Sequence, residues 1–269
     1  MSIKIKIPKK AKKSEIKDFL KSKKLSNLIN LNGPKQVDVN EMYSSKPYEP
    51  EINDLYRLYQ FIILNKRTTV FEFGSGWSSL IFSIALNDLK KKYSNEVKLL
   101  RRNNPFELFI LENEKKYLKI TKNRIQKFNR ENRDLLTNKI NYHFSEVYMS
   151  SYNEKICTFY KKYPLCNPDF IYLDGPDQFN VLGKVNGVST NHKDMMPMVG
   201  DILKMEYFYT PGTIIVSDGR SANIRFLKNN LQRNWNYIED YDHDQHILWL
   251  DEKPLGIHNS NQIKFYKKN

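Results

Sequence analysis

From residue 68 onward, short apolar runs alternate with amphipathic segments. Five runs read as strands: TTVFEF (68–73), FELFILE (106–112), INYHFS (140–145), DFIYLD (169–174) and GTIIVSD (212–218). Between and after them, SSLIFSIALNDLKKK, KKYLKITKNRIQKFN and ANIRFLKNNLQR carry apolar residues at helical spacing. Strands apolar at nearly every position are buried on both faces, and helices between them can cover those faces. The pattern predicts an α/β protein with a mostly parallel sheet between two helical layers. The segment WNYIEDYDHDQHILWLDE differs. It predicts two strands, 235–241 and 246–250, joined by an Asp/His-rich turn into an antiparallel hairpin at one sheet edge. Upstream, EINDLYRLYQFIILNKR predicts a helix starting near Pro50, preceded by a turn-rich loop over 32–50. YSNEVKLLRRNNP, before the second strand, reads as a surface insertion.

A chain of 269 residues accommodates one large domain with extensions. The apolar content of 40% supports a folded core rather than wholesale disorder. No apolar run approaches the roughly 20 residues of a membrane helix, and the N-terminus lacks the apolar centre of a signal peptide. Cys157 and Cys166 have no metal-like spacing, so neither a disulfide framework nor a structural zinc is expected, and a cytoplasmic location fits. The net charge of +14 is uneven: residues 1–24 hold ten lysines against Glu15 and Asp18. Such a stretch is either an arm for phosphates or a solubilising, partly helical extension. The expected division is a basic arm and loop (1–49), a ligand-binding domain (50–252) with a lid over 175–209, and a tail (253–269).

The first strand carries the most chemical information. It ends on Gly74 and Gly76 and runs into a helix start, which is the make-up of a ligand loop: tight backbone turns beside unpaired helix N–H groups. The third position of a nicotinamide-type G-x-G-x-x-G is Ser79 here. Glu72 precedes the first glycine by two residues, so the run reads E-x-G-x-G-x-(small), ending at Ser78.

That run resembles the first motif of the class I S-adenosylmethionine-dependent methyltransferases, and further matches follow in order over roughly residues 50–252. The resemblance implies a Rossmann-like fold with a seven-stranded sheet, and S-adenosyl-L-methionine as cofactor. It assigns Glu112, at the end of the second strand, to the ribose hydroxyls. Ser145 and Glu146 fall beside the adenine, and Asp174 near the methyl group and substrate. Gly74 and Gly76 would let the backbone approach the cofactor, Ser78 stands where a third glycine is usual, and Glu72 would orient the loop or the ammonium end. Read from the residues alone, Glu72 also fits a carboxylate satisfied by backbone N–H groups of the loop. The residues alone also allow Glu112 to be an exposed carboxylate at a helix start, favoured by the dipole.

In a sheet of this order the fourth and fifth strands are neighbours, which sets Asp174 beside Asp218. Such a pair holds a divalent cation or serves as a base. Catechol-type O-methyltransferases have an asparagine next; here Gly219 follows, so one metal ligand is missing. Arg220 and Asn223 would stand at the cleft mouth, Arg220 pairing with an anionic group of the substrate. His192 and Asp194 are acid–base candidates within the lid, whereas His243 and His246 read as part of a polar turn. The expected activity is O-methylation of a small metabolite or glycan sugar. Alternatives are nucleic-acid methylation using the lysine arm, aminopropyl transfer with Asp174 and Asp177 on an amine, and a non-catalytic scaffold. DGPD (174–177) lacks the paired prolines of amino-methylating nucleic-acid enzymes, and the arm offers little for base stacking beyond Phe19.

Overall fold

A computed structural model describes residues 2–31 and 49–268, so most of the loop expected over 32–50 lies outside the described residues. Among the described residues the α-helices are α1 (Lys13–Ser22), α2 (Ile52–Asn65), α3 (Trp77–Val97), α4 (Lys115–Glu131), α5 (Asp201–Met205), α6 (Ser221–Asn230) and α7 (Gly256–Lys267). The strands are β1 (Thr69–Phe73), β2 (Glu107–Glu112), β3 (Ile140–Phe144), β4 (Val147–Tyr152), β5 (Lys155–Tyr160), β6 (Phe170–Leu173), β7 (Val181–Leu182), β8 (Ile214–Asp218), β9 (Trp235–Asp240) and β10 (Gln245–Leu250).

Seven strands form one sheet in the order β3-β2-β1-β6-β8-β10-β9. The first five neighbours pair in parallel, and β10 pairs antiparallel with both β8 and β9. Alternate residues divide between two cores. Val70, Leu108, Ile110, Phe170 and Val216 face α2, α3 and α4; Phe71, Phe73, Leu111, Ile171 and Ile215 face α5, α6 and the loops beside them. The near-continuous apolar strands are explained by this two-sided burial.

Three segments depart from the expectation. β4 and β5 form a hairpin that joins β7 in a separate three-stranded sheet. Its turn residues Asn153 and Glu154 both have positive φ, at 45° and 63°, so the hairpin turns without the usual glycine. The expected insertion after Lys92 is in part helix, since α3 runs on to Val97. The third departure concerns both ends. Residues 2–31 are no free arm: Ile3, Ile16, Phe19, Leu20, Leu25 and Leu28 are buried in the larger core. The Ile3 N–H donates to Asp251 (2.6 Å), the Trp249 indole donates to the Ile3 carbonyl (2.9 Å), and Asn65 exchanges two hydrogen bonds with the Lys6 backbone. The apolar residues interleaved with the lysines drive this docking, while the lysines snorkel outward. Likewise the expected tail contains α7, which buries Ile263, Phe265 and Tyr266.

Tyr266 also reaches the base of the sheet. Its hydroxyl donates to Asp169 (2.9 Å), a carboxylate that accepts from the N–H groups of Thr68 and Thr69 and from the Thr68 hydroxyl. Asp169 thus satisfies the donors at the start of β1 from a buried position.

If residues 2–31 are structural, Leu20→Ala lowers the stability by about 2–5 kcal/mol, read as a fall in the urea midpoint. A solvated arm would leave that midpoint unchanged.

Candidate functional site

β1 lies in the middle of the sheet, and the chain turns to one side of it for β2 and to the other for β6. The crevice outside the C-terminal ends at this switch point is where open α/β sheets bind ligands. Gly74 leaves β1 with φ +97° and donates its N–H to the Leu111 carbonyl (2.8 Å). A Cβ at Gly74 would come within 3.0 Å of the Asp174 and Gly175 backbone, and one at Gly175 within 2.5 Å of the Gly74 nitrogen. Both glycines are therefore required by contact between the two strand ends. Gly76 is different: a Cβ there would meet only the Ser78 hydroxyl, at 3.6 Å, at the open start of α3. Of the two loop glycines, Gly76 is the one that leaves room for a ligand.

Glu72 is fully buried, and its partners are side chains rather than loop N–H groups. The hydroxyls of Ser78 and Ser79 each donate to one of its oxygens, both at 2.5 Å. Burial pushes its carboxyl up to about 8; the serines oppose the shift, and the nearby Asp174 and Glu112 add to it. Ser78, standing in place of a third glycine, is thus an anchor for Glu72. Arg124 of α4 feels the Glu72 charge, which partly offsets the lowering of its pKa by burial, and its guanidinium lies over Trp77 at 4.2 Å.

Glu112 ends β2 and is buried rather than exposed at a helix start. That second role belongs to Glu114, which caps α4 by accepting from the Lys116 N–H (3.2 Å). Glu112 accepts from the N–H groups of Asn113 (2.8 Å) and Glu114 (2.9 Å) and, across the crevice, from the Ser75 hydroxyl (2.7 Å). Burial lifts its carboxyl to about 7 against the pull of these donors. Ser145 is buried beside the end of β3 and accepts from the Lys162 N–H (2.9 Å). Glu146 turns outward to an exposed ion pair with Lys161 (2.9 Å), which holds its carboxyl below the usual range.

Leu173 pairs with Ser217, so Asp174 and Asp218 follow one step along on neighbouring strands. The Asp174 side chain is open to solvent yet surrounded by protein, the situation of a residue on a cleft floor. That enclosure raises its carboxyl, and Arg220 partly offsets the rise. Asp218 is pushed to about 9 by burial and by Asp54, Asp174, Asp244 and Glu51 in turn. Asp54, in the first turn of α2, rises to about 7 for the same reasons. Glu51, Asp54 and Asp244 were not marked by the sequence pattern, because acids at a helix start or in a polar turn are ordinary there. Among the described residues, no group of three or more His, Cys, Asp or Glu side chains is arranged to hold a metal ion.

The remaining expected residues divide. Arg220 donates to the carbonyls of Asp174 (2.8 Å) and Pro176 (3.1 Å), so it clamps the backbone at the mouth. Asn223 is buried and exchanges two hydrogen bonds with the Val199 backbone, away from the mouth where it was expected. His192 is exposed, and its Nδ1 accepts from the Asp194 N–H (3.1 Å) within its own loop. His246 lies between Ser221 and Tyr237, whereas His243 contacts Asp240. Asn113, unmarked in the sequence, binds the carbonyls of Asp177 and Asn180 and the Asp177 N–H, fastening residues 177–180 beside Glu112.

Glu72 and Glu112 hold protons more tightly in the folded chain than when unfolded. Their contribution to stability is full below about pH 4.5 and is lost as pH rises toward 8. The unfolding midpoint should fall between pH 5 and pH 8, and Glu72→Gln should flatten that fall; an unchanged slope would contradict the assignment. In comparisons with known proteins, neither a family model nor a curated protein sequence matches the chain.

Proposed function

We propose that the protein is an S-adenosylmethionine-dependent methyltransferase with a Rossmann-like fold, acting on a small acceptor. The observation that carries this reading is the hydrogen bond from Ser75 to Glu112. It sets a buried carboxylate face to face with the glycine loop across the switch point. Vicinal ribose hydroxyls would donate to that carboxylate, whose Ser75-bound oxygen has a second lone pair to offer. The space at Gly76 and the free N–H groups at the start of α3 suit the amino-acid end. When bound, the cofactor supplies a methyl group already activated for in-line displacement.

The chain's own residues then align, shield and move a proton. Asp174, on the cleft floor with its carboxyl raised, accepts the proton of an acceptor hydroxyl. Arg220 fixes the Asp174–Pro176 backbone, and the Asn113 clamp holds residues 177–180 over the crevice. The carboxylates around Asp218 favour a second reading for the acceptor, a cationic amine methylated on nitrogen or receiving an aminopropyl group. The same carboxylates repel a phosphate backbone and weigh against nucleic acid as acceptor.

Titration calorimetry with S-adenosylmethionine should give one site per chain. Glu112→Ala should weaken it by about 10- to 100-fold, as loss of charge-assisted hydrogen bonds does, with the circular-dichroism spectrum unchanged. Full affinity in the variant, or no uptake by folded wild-type protein, overturns the reading. Asp218→Asn separates the acceptors: it should leave transfer to a hydroxyl largely intact and raise KM for an amine.

A further inference from the structure

The end of the sheet opposite the crevice carries a second concavity. Lys66 caps the C-terminus of α2 just before β1 begins, so it lies at the far edge of the strand that ends in Gly74. A cavity of about 340 Å³ opens there, lined by five lysines: Lys6, Lys23, Lys66, Lys92 and Lys268. Its volume falls in the range of small-molecule sites. One carboxylate, Asp88, shares the lining, and it is already engaged by Lys23 (2.6 Å) and the Tyr59 hydroxyl (2.8 Å).

Lys66 is buried and adopts a left-handed backbone conformation (φ 49°). Its ammonium sits against the rings of Tyr93 (4.9 Å) and Phe265 (5.6 Å) and donates to the Lys268 carbonyl. Burial and the neighbouring Lys6 lower its pKa. On the rim, Lys6 and Lys92 have no carboxylate partner among the described residues, whereas Lys268 pairs with Glu96 (3.1 Å). Five lysines lining one partly enclosed space outnumber the carboxylates that answer them, Asp88 and Glu96, and a multiply charged anion would offset the excess positive charge.

We propose that this cavity is a binding site for a small phosphate-bearing anion, separate from the crevice at the other end of the sheet. It brings Lys6 and Lys23 from the docked N-terminal segment together with lysines of the body. A small ligand is favoured over a nucleic acid because the aromatic faces are already covered. Lys23 lies over Tyr59 (5.0 Å), and Lys66 and Lys92 lie over Tyr93, so neither ring is open to a stacking base. The proposal does not depend on the methyltransferase reading.

Titration calorimetry with inorganic pyrophosphate tests it. One equivalent should bind, and at one hundred times Kd it should raise the unfolding midpoint by about 5 °C. Lys92→Glu and Lys6→Glu, both on the exposed rim, should each weaken binding by about tenfold or more, with the unfolding midpoint of the free protein no lower than that of the wild type because like-charge repulsion is relieved. The proposal is overturned if pyrophosphate does not bind, if both rim variants bind it as the wild type does, or if only a single-stranded oligonucleotide binds.

Discussion

The crevice exists because two backbones touch. Gly74 and Gly175 bring the ends of β1 and β6 closer than any side chain allows, and the chain departs from that contact in opposite directions. The Asp174 N–H donates to the Phe73 carbonyl at 2.9 Å and Gly74 donates to Leu111, so three strand ends are locked in register where they stop being a sheet. Glu72, Glu112 and Asp174 project from those ends. A side chain at either glycine would spread the strands and separate the carboxylates from the loop that opposes them.

Charge is sorted along the strands. Carboxylates gather at the C-terminal edge, several with their carboxyls raised by burial and by one another. Lysines converge at the N-terminal edge around Lys66. The net charge of +14 therefore describes neither end. Each concentration of like charge opposes folding, and each is the kind of cost that persists at binding sites because a ligand of complementary charge can offset it.

Much of this was legible in the order of residues. Apolar runs with two-sided burial fixed on a parallel sheet, and β1, β2, β6 and β8 lie where their sequences place them to within a residue or two. The E-x-G-x-G run announced the loop. The roles within it were less legible: Gly74 serves a strand contact, and Ser78 serves Glu72. The β4–β5 hairpin escaped notice because its strands mix Ser, Thr and Lys with apolar residues and its turn has no glycine. The docking of residues 2–31 escaped because ten lysines dominate any window-averaged polarity there, although the buried Ile3, Ile16 and Leu20 decide the packing. The acids around Asp218 come from three distant segments, and only folding brings them together.

Asp169 has a consequence in time as well as in space. The donors that open β1 are satisfied by a residue about one hundred positions later, which is itself held by Tyr266 from the last helix. During synthesis, then, the central strand emerges long before the groups that complete its base. The hydrogen bonds that open β1 therefore form only after the residue preceding β6 has been made, and the Tyr266 bond to Asp169 only after α7, so the base of the central strand is completed by late-made residues.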